Sequence, residues 1–260
     1  MDQSNLKSKT ICVLSDQHYY HIGDLLYQDL VMEFTQFTEN ADVVLVLFAD
    51  DQQQWDQLGK LCRSPNKKQI VITRPVLGFD LMARSHPNLC CFSYKAYSSS
   101  ILNFTNEARM RGMPQHVEMA ECGGWGLFNE WFQQMSMLWT IVGGSNVFNR
   151  LTPRINRKDW GGTLSFHGRE NDTTASLFVT LKQARYYLSS QAAFGSTGKL
   201  ARMENREGTS YIETWGAGMA YTIATLSGGN RGILERNRQM AIDICSKIKT
   251  VRGAANLLLD

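Results

Sequence analysis

The chain has 260 residues, 43% of them hydrophobic and 20% charged. This composition excludes a disordered chain and leaves room for one large domain or two small ones. The net charge of +3 conceals an asymmetry, because residues 1–149 carry 11 Lys and Arg against 15 Asp and Glu whereas residues 150–260 carry 16 against 9. Six cysteines without a CxxC pair or a zinc-finger histidine spacing exclude a structural zinc motif. No apolar stretch approaches the roughly 20 residues of a membrane span.

In chain order, KTICVLS (9–15) and DVVLVLF (42–48) are short apolar runs rich in β-branched residues and without alternation. That is the pattern of strands buried on both faces of a parallel sheet. Between them Ile22, Leu25, Leu26, Leu30, Val31, Phe34 and Phe37 recur at three- and four-residue spacing and predict a helix. The alternation continues with a helix near 52–62, a strand at 69–73, a short helix near 76–84, a strand at 89–94 and a helix near 99–111. Strands alternating with helices predict an α/β fold, here a four-stranded Rossmann-like or flavodoxin-like parallel sheet over residues 1–112. The order of elements superficially matches a bacterial receiver domain, but Leu47 stands where the phosphoacceptor aspartate belongs.

Residues 113–149 read as a glycine-interrupted connection followed by a strongly apolar helix, LFNEWFQQMSMLWTIV (127–142). Its wide stripe of Trp131, Phe132, Met135, Leu138 and Trp139 calls for burial between the halves or against another subunit. Residues 150–260 read as a basic, mainly helical domain: a basic loop over 148–162, a helix over 174–193, a charged connector over 195–210 and a terminal amphipathic helix presenting Arg236, Arg238, Lys247 and Arg252 on its polar face. A phosphate-loop reading of AAFGSTGKL (192–200) fails, because Ala193 replaces the first glycine and Leu200 the metal-binding hydroxyl.

Two functional readings follow. The first is a non-enzymatic, self-associating nucleic-acid-binding protein without cofactor or metal. Arg150, Arg154, Arg157 and Lys158, interleaved with Trp160, form one cluster, and Lys199, Arg202 and Arg206 a second. Guanidinium groups pair with phosphates through two-pronged hydrogen bonds and aromatic rings stack on unpaired bases, so single-stranded nucleic acid, RNA in particular, is the expected partner. The second is a Mg²⁺-dependent enzyme acting on a nucleotide or phosphorylated small molecule. In it Asp16, Asp50 and Asp51 at the strand ends hold the metal and His18 moves the proton. The absence of a signal peptide and of disulfide-framework spacing predicts the cytoplasm, the shortness of the apolar runs predicts no membrane partner, and the stripe over 127–142 predicts a homo-oligomer.

Overall fold

The computed structural model describes residues 9–15, 32–34, 38–48, 51–65, 68–93, 95–97, 99–111, 116–122, 127–142, 152–156, 163–170, 173–180, 187–194, 199–206 and 231–255. The chain divides into two compact units, residues 1–92 with 219–242 and residues 93–218 with 243–260.

Unit 1 is built on a five-stranded, wholly parallel sheet. Its strands are β1 (Lys9–Ser15), β2 (Met32–Phe34), β3 (Val43–Leu47), β4 (Gln69–Ile72) and β5 (Leu89–Cys91), in the spatial order β2-β1-β3-β4-β5. The unbroken apolar runs do what their composition dictates: all five residues of β3 are buried, and Val71, Ile72, Leu89 and Cys91 are fully so. Asp42 fixes the register of β1 against β3, its Oδ2 accepting from Thr10 N at 3.0 Å while its own N donates to Thr10 O at 2.9 Å. Ile11 accordingly pairs with Val43 and Ser15 with Leu47.

Helices α1 (Asp51–Arg63) and α2 (Phe79–Ser85) join β3 to β4 and β4 to β5. Gly78 precedes α2 at φ 90°, and a Cβ there would lie 3.3 Å from the Trp55 ring, so both conformation and space call for glycine. The C-terminal end of α2 is held by the long helix α5 (Arg231–Ala255), whose Arg238 Nη2 donates to Ala83 O at 2.6 Å. That places a cation at a helix terminus where free carbonyls concentrate negative charge.

Unit 2 contains α3 (Ser99–Arg111), β6 (His116–Cys122), α4 (Leu127–Val142), β7 (Thr152–Asn156), β8 (Thr163–Glu170), β9 (Thr173–Thr180), β10 (Tyr187–Phe194) and β11 (Lys199–Arg206). Its six strands form one mixed sheet in the order β11-β10-β6-β9-β8-β7, with β6 and β9 parallel and the other pairs antiparallel. Residues 131–139 of α4 are buried all round and the helix packs on α3, β6 and β9.

The α/β class and the Rossmann-like N-terminal sheet are those the sequence predicts. Two expectations need correction. The parallel sheet has five strands, because Met32–Phe34, inside the expected helix over 22–37, pairs with Lys9–Ile11 of β1. The terminal helix forms as expected, but the other described residues of the second half are strands: the expected helix over 174–193 is most of β9 and β10, and the expected loop and connector hold β7 and β11. The segment TTASLFVT is rich in Thr, Val and Phe, and its β-propensity finds partners on both sides, which outweighs the three-residue spacing that suggested a helix. The stripe on α4 that raised self-association is covered inside a single chain. Among the described residues no helix is long and apolar enough to cross a membrane.

Two outcomes test this packing. Leu45→Ala, at 0% exposure, lowers unfolding free energy by about 2–5 kcal/mol, whereas Leu81→Ala, at 58% exposure, changes it by less than about 0.5 kcal/mol in denaturant titrations. Burial pushes the Cys90 thiol from its ordinary 9.0 up to about 12, against the opposing hydrogen bond from Gln69 and the charge of Arg238. Between pH 9 and 12 the folded state therefore keeps a proton that the unfolded state has lost, and stability falls as pH rises. Cys90→Ala flattens that alkaline slope by about 1.4 kcal/mol per pH unit relative to wild type.

Candidate functional site

In an open parallel sheet ligands bind beyond the carboxyl ends of the strands, at the place where the strand order reverses. Here the chain runs from β1 outward to β2 and returns past β1 to β3, so the reversal lies between β1 and β3. The two strands end side by side at Ser15 and Leu47. Ser15 is exposed at that edge.

Polar side chains fix the neighbouring ends of β3 and β4. Gln54, on the first turn of α1 and 1% exposed, accepts from Phe48 N through Oε1 at 3.2 Å and donates from Nε2 to Arg74 O. Arg74, just beyond β4, donates from Nη2 to Phe48 O at 2.9 Å and pairs from Nη1 with Asp51 Oδ1 at 2.7 Å. Two strand ends are thus tied by a buried amide and a guanidinium. The Asp51 carboxylate is 67% exposed.

A second buried polar group lies in unit 2, directly after β5. Ser93 Oγ donates to Gln133 Oε1 at 2.5 Å and accepts from Ala96 N at 3.1 Å, while Gln133 Nε2 donates to Asn129 Oδ1 at 3.3 Å, one turn earlier on α4. Lys95, in the turn formed with Ala96 and Tyr97, is 1% exposed. Asn129 and Gln133 are amides, able to orient a partner but not to exchange a proton at neutral pH. Composition alone does not mark these residues, since Ser93 is far in sequence from Asn129 and Gln133 and all three are ordinary in type. The available signal is polar residues at four-residue spacing on an otherwise apolar helix.

The structure separates the residues that the sequence groups together. Arg154 lies on β7 and pairs with Ser165, whereas Lys199, Arg202 and Arg206 lie on β11 and pair with Phe194, Gln191 and Tyr187. β7 and β11 are the two opposite edges of the sheet. Five interstrand spacings, roughly 24 Å, separate them. Arg150, Arg157, Lys158 and Trp160 lie outside the described residues, as do Asp16, His18 and Asp50. Asp51 is the one member of the expected metal set that is described, and it is paired with Arg74. Among the described residues no three His, Cys, Asp or Glu side chains gather as a metal site.

No family model matches the sequence, and neither does any curated protein. Solved structures match along nearly the whole chain. A dehydrogenase from Chromobacterium violaceum aligns at TM-score 0.65 and 11% identity over 95% of this chain and 94% of its own. The biliverdin reductase of Synechocystis sp. PCC 6803, solved with biliverdin and NADP⁺, aligns at TM-score 0.63 and 10% identity over 95% and 99%. A Gfo/Idh/MocA family oxidoreductase from Vibrio cholerae aligns at TM-score 0.61 and 11% identity over 95% and 100%. At such identities the likeness shows the fold alone, with its Rossmann-type parallel sheet.

This likeness overturns the nucleic-acid-binding reading, with its RNA partner, and displaces the Mg²⁺-dependent alternative. The architecture is one on which oxidoreductases are built, and the biliverdin reductase holds small molecules on it. The physical reason the charge count misled is visible among the described residues, where Arg154 and the set Lys199, Arg202 and Arg206 lie on opposite edges of one sheet and Arg238 is spent on a helix terminus.

The fold family implies a nicotinamide dinucleotide, whose pyrophosphate needs a glycine-rich turn after the first strand so that backbone amides can approach it. β1 ends at Ser15, and the chain continues Asp-Gln-His-Tyr-Tyr-His-Ile before its first glycine, Gly23. The sequence puts no glycine where that turn needs one, so these residues do not fit that group.

The strand-end network gives a graded expectation. Gln54→Ala strands the Phe48 amide and the Arg74 carbonyl and costs about 2–3 kcal/mol. Asp51→Asn breaks only an exposed ion pair and costs less than about 1 kcal/mol. Urea titrations of the two variants read the difference.

Proposed function

We propose that this chain is an oxidoreductase-type protein that binds and acts on a small organic molecule at the carboxyl ends of β1 and β3. The supporting observation is the correspondence of both units, over 95% of the chain, with dehydrogenases and reductases, together with the strand-order reversal between β1 and β3. A fold alone does not assign a reaction. What adds to it is a strand edge held rigid by Gln54 and Arg74, since a site is more accurately positioned on secondary structure than on a free loop.

The reading is tested by thermal unfolding against a panel of small carbonyl compounds, alcohols and biliverdin, with a single-stranded RNA as the competing class. A ligand at 100 times its Kd adds about 2.7 kcal/mol and raises Tm by several degrees. The expected result is a shift with at least one small molecule and none with RNA. A shift with RNA alone overturns the reading.

A further inference from the structure

We propose that the crevice over β1 and β3 excludes nicotinamide dinucleotides, and that this oxidoreductase fold serves a phosphate-free ligand. The inference rests on the placement of the ligand at those strand ends argued above.

Two independent features carry it. The first is steric. In a dinucleotide site the first glycine makes the tight turn, the second lets the backbone meet the pyrophosphate, and the third lets helix and strand pack closely. From Ser15 to Ile22 every residue bears a Cβ, and four in succession, His18, Tyr19, Tyr20 and His21, bear rings.

The second is electrostatic. From residue 10 to residue 59, a stretch that holds β1, β2, β3 and most of α1, the chain has nine Asp and Glu and no Lys or Arg. Asp16 directly follows β1, and Asp50 and Asp51 follow β3 three residues beyond Leu47. A pyrophosphate brings negative charge to strand ends that Asp16, Asp50 and Asp51 follow in sequence, and like charges at close range disfavour each other. Arg74, the guanidinium at the neighbouring strand end, is held by Asp51 and the Phe48 carbonyl. A dinucleotide would have to displace those partners to use it.

The test is isothermal titration calorimetry of the full chain, with its cooperative thermal unfolding confirmed first, against NADH, NADPH and inorganic pyrophosphate in low salt. The expected result is no saturable binding of any of the three up to about 1 mM. Saturable binding of NADH or NADPH at micromolar concentration overturns the inference and leaves the small-molecule reading in place. Absence of dinucleotide binding alongside a thermal shift from a phosphate-free compound supports both. If RNA alone shifts Tm, the small-molecule reading fails while exclusion of the dinucleotide still holds.

Discussion

Burial of β3 on both faces is the constraint from which unit 1 follows. A strand reading Val-Val-Leu-Val-Leu has no polar side to show to water, so it must have β1 and β4 at its edges and cover above and below. Each such side chain contributes about 1.5–3 kcal/mol when fully withdrawn from water. Satisfying that demand with parallel neighbours forces crossovers, and the crossovers put α1 and α2 against the sheet. The direction in which those crossovers run, outward to β2 and back past β1, creates the reversal between β1 and β3. The candidate site is therefore a by-product of hydrophobic burial and chain connectivity before any functional residue is considered.

Polar groups enter this scheme as fasteners at strand ends, where the ladder stops and backbone groups lose their partners. Asp42 does this at the start of β1 and β3, and Gln54 with Arg74 at the end of β3 and β4. Unit 2 uses the same device beside β5, where Ser93 and Gln133 satisfy one another in a fully buried setting. In each case a side chain reaches another strand or helix, so its loss would leave a backbone or side-chain group stranded. That is why these residues hold geometry more firmly than the exposed Asp51–Arg74 ion pair can.

Legibility in the sequence followed the strength of the local constraint. KTICVLS, DVVLVLF, α3 and α4 were readable because an uninterrupted apolar run or a wide helical stripe admits few alternatives. The edge strand Met32–Phe34 was not, since its three residues also fit the helical spacing that precedes them. β9 and β10 were misread for a related reason: Ala175, Leu177, Phe178 and Leu188 satisfy a helical count as readily as an alternating one, and only the pairing of β9 with β6 and β8 and of β10 with β6 and β11 decides between them. The strand ends of β1 and β3 were legible as a site from topology alone. The Ser93–Gln133–Asn129 frame was not, because Ser93 meets Gln133 only through tertiary contact.

Charge asymmetry between halves is a weaker guide than its size implies, because a count carries no geometry. Among the described cations after residue 149, Arg154 stands at one edge of a mixed sheet, Lys199, Arg202 and Arg206 at the other, and Arg238 on α5 closes a helix terminus. The acidic excess before it behaves differently, since nine carboxylates without a single cation fall in one continuous span that contains both strand ends of the crevice. Of that span only Asp16, Asp50 and Asp51, which follow β1 and β3 in sequence, bear on what approaches the crevice, since Glu39 and Asp42 precede β3 and belong to the opposite edge. The sign that matters for function in this chain is the negative one, and it argues against the anionic cofactor that the architecture by itself would invite.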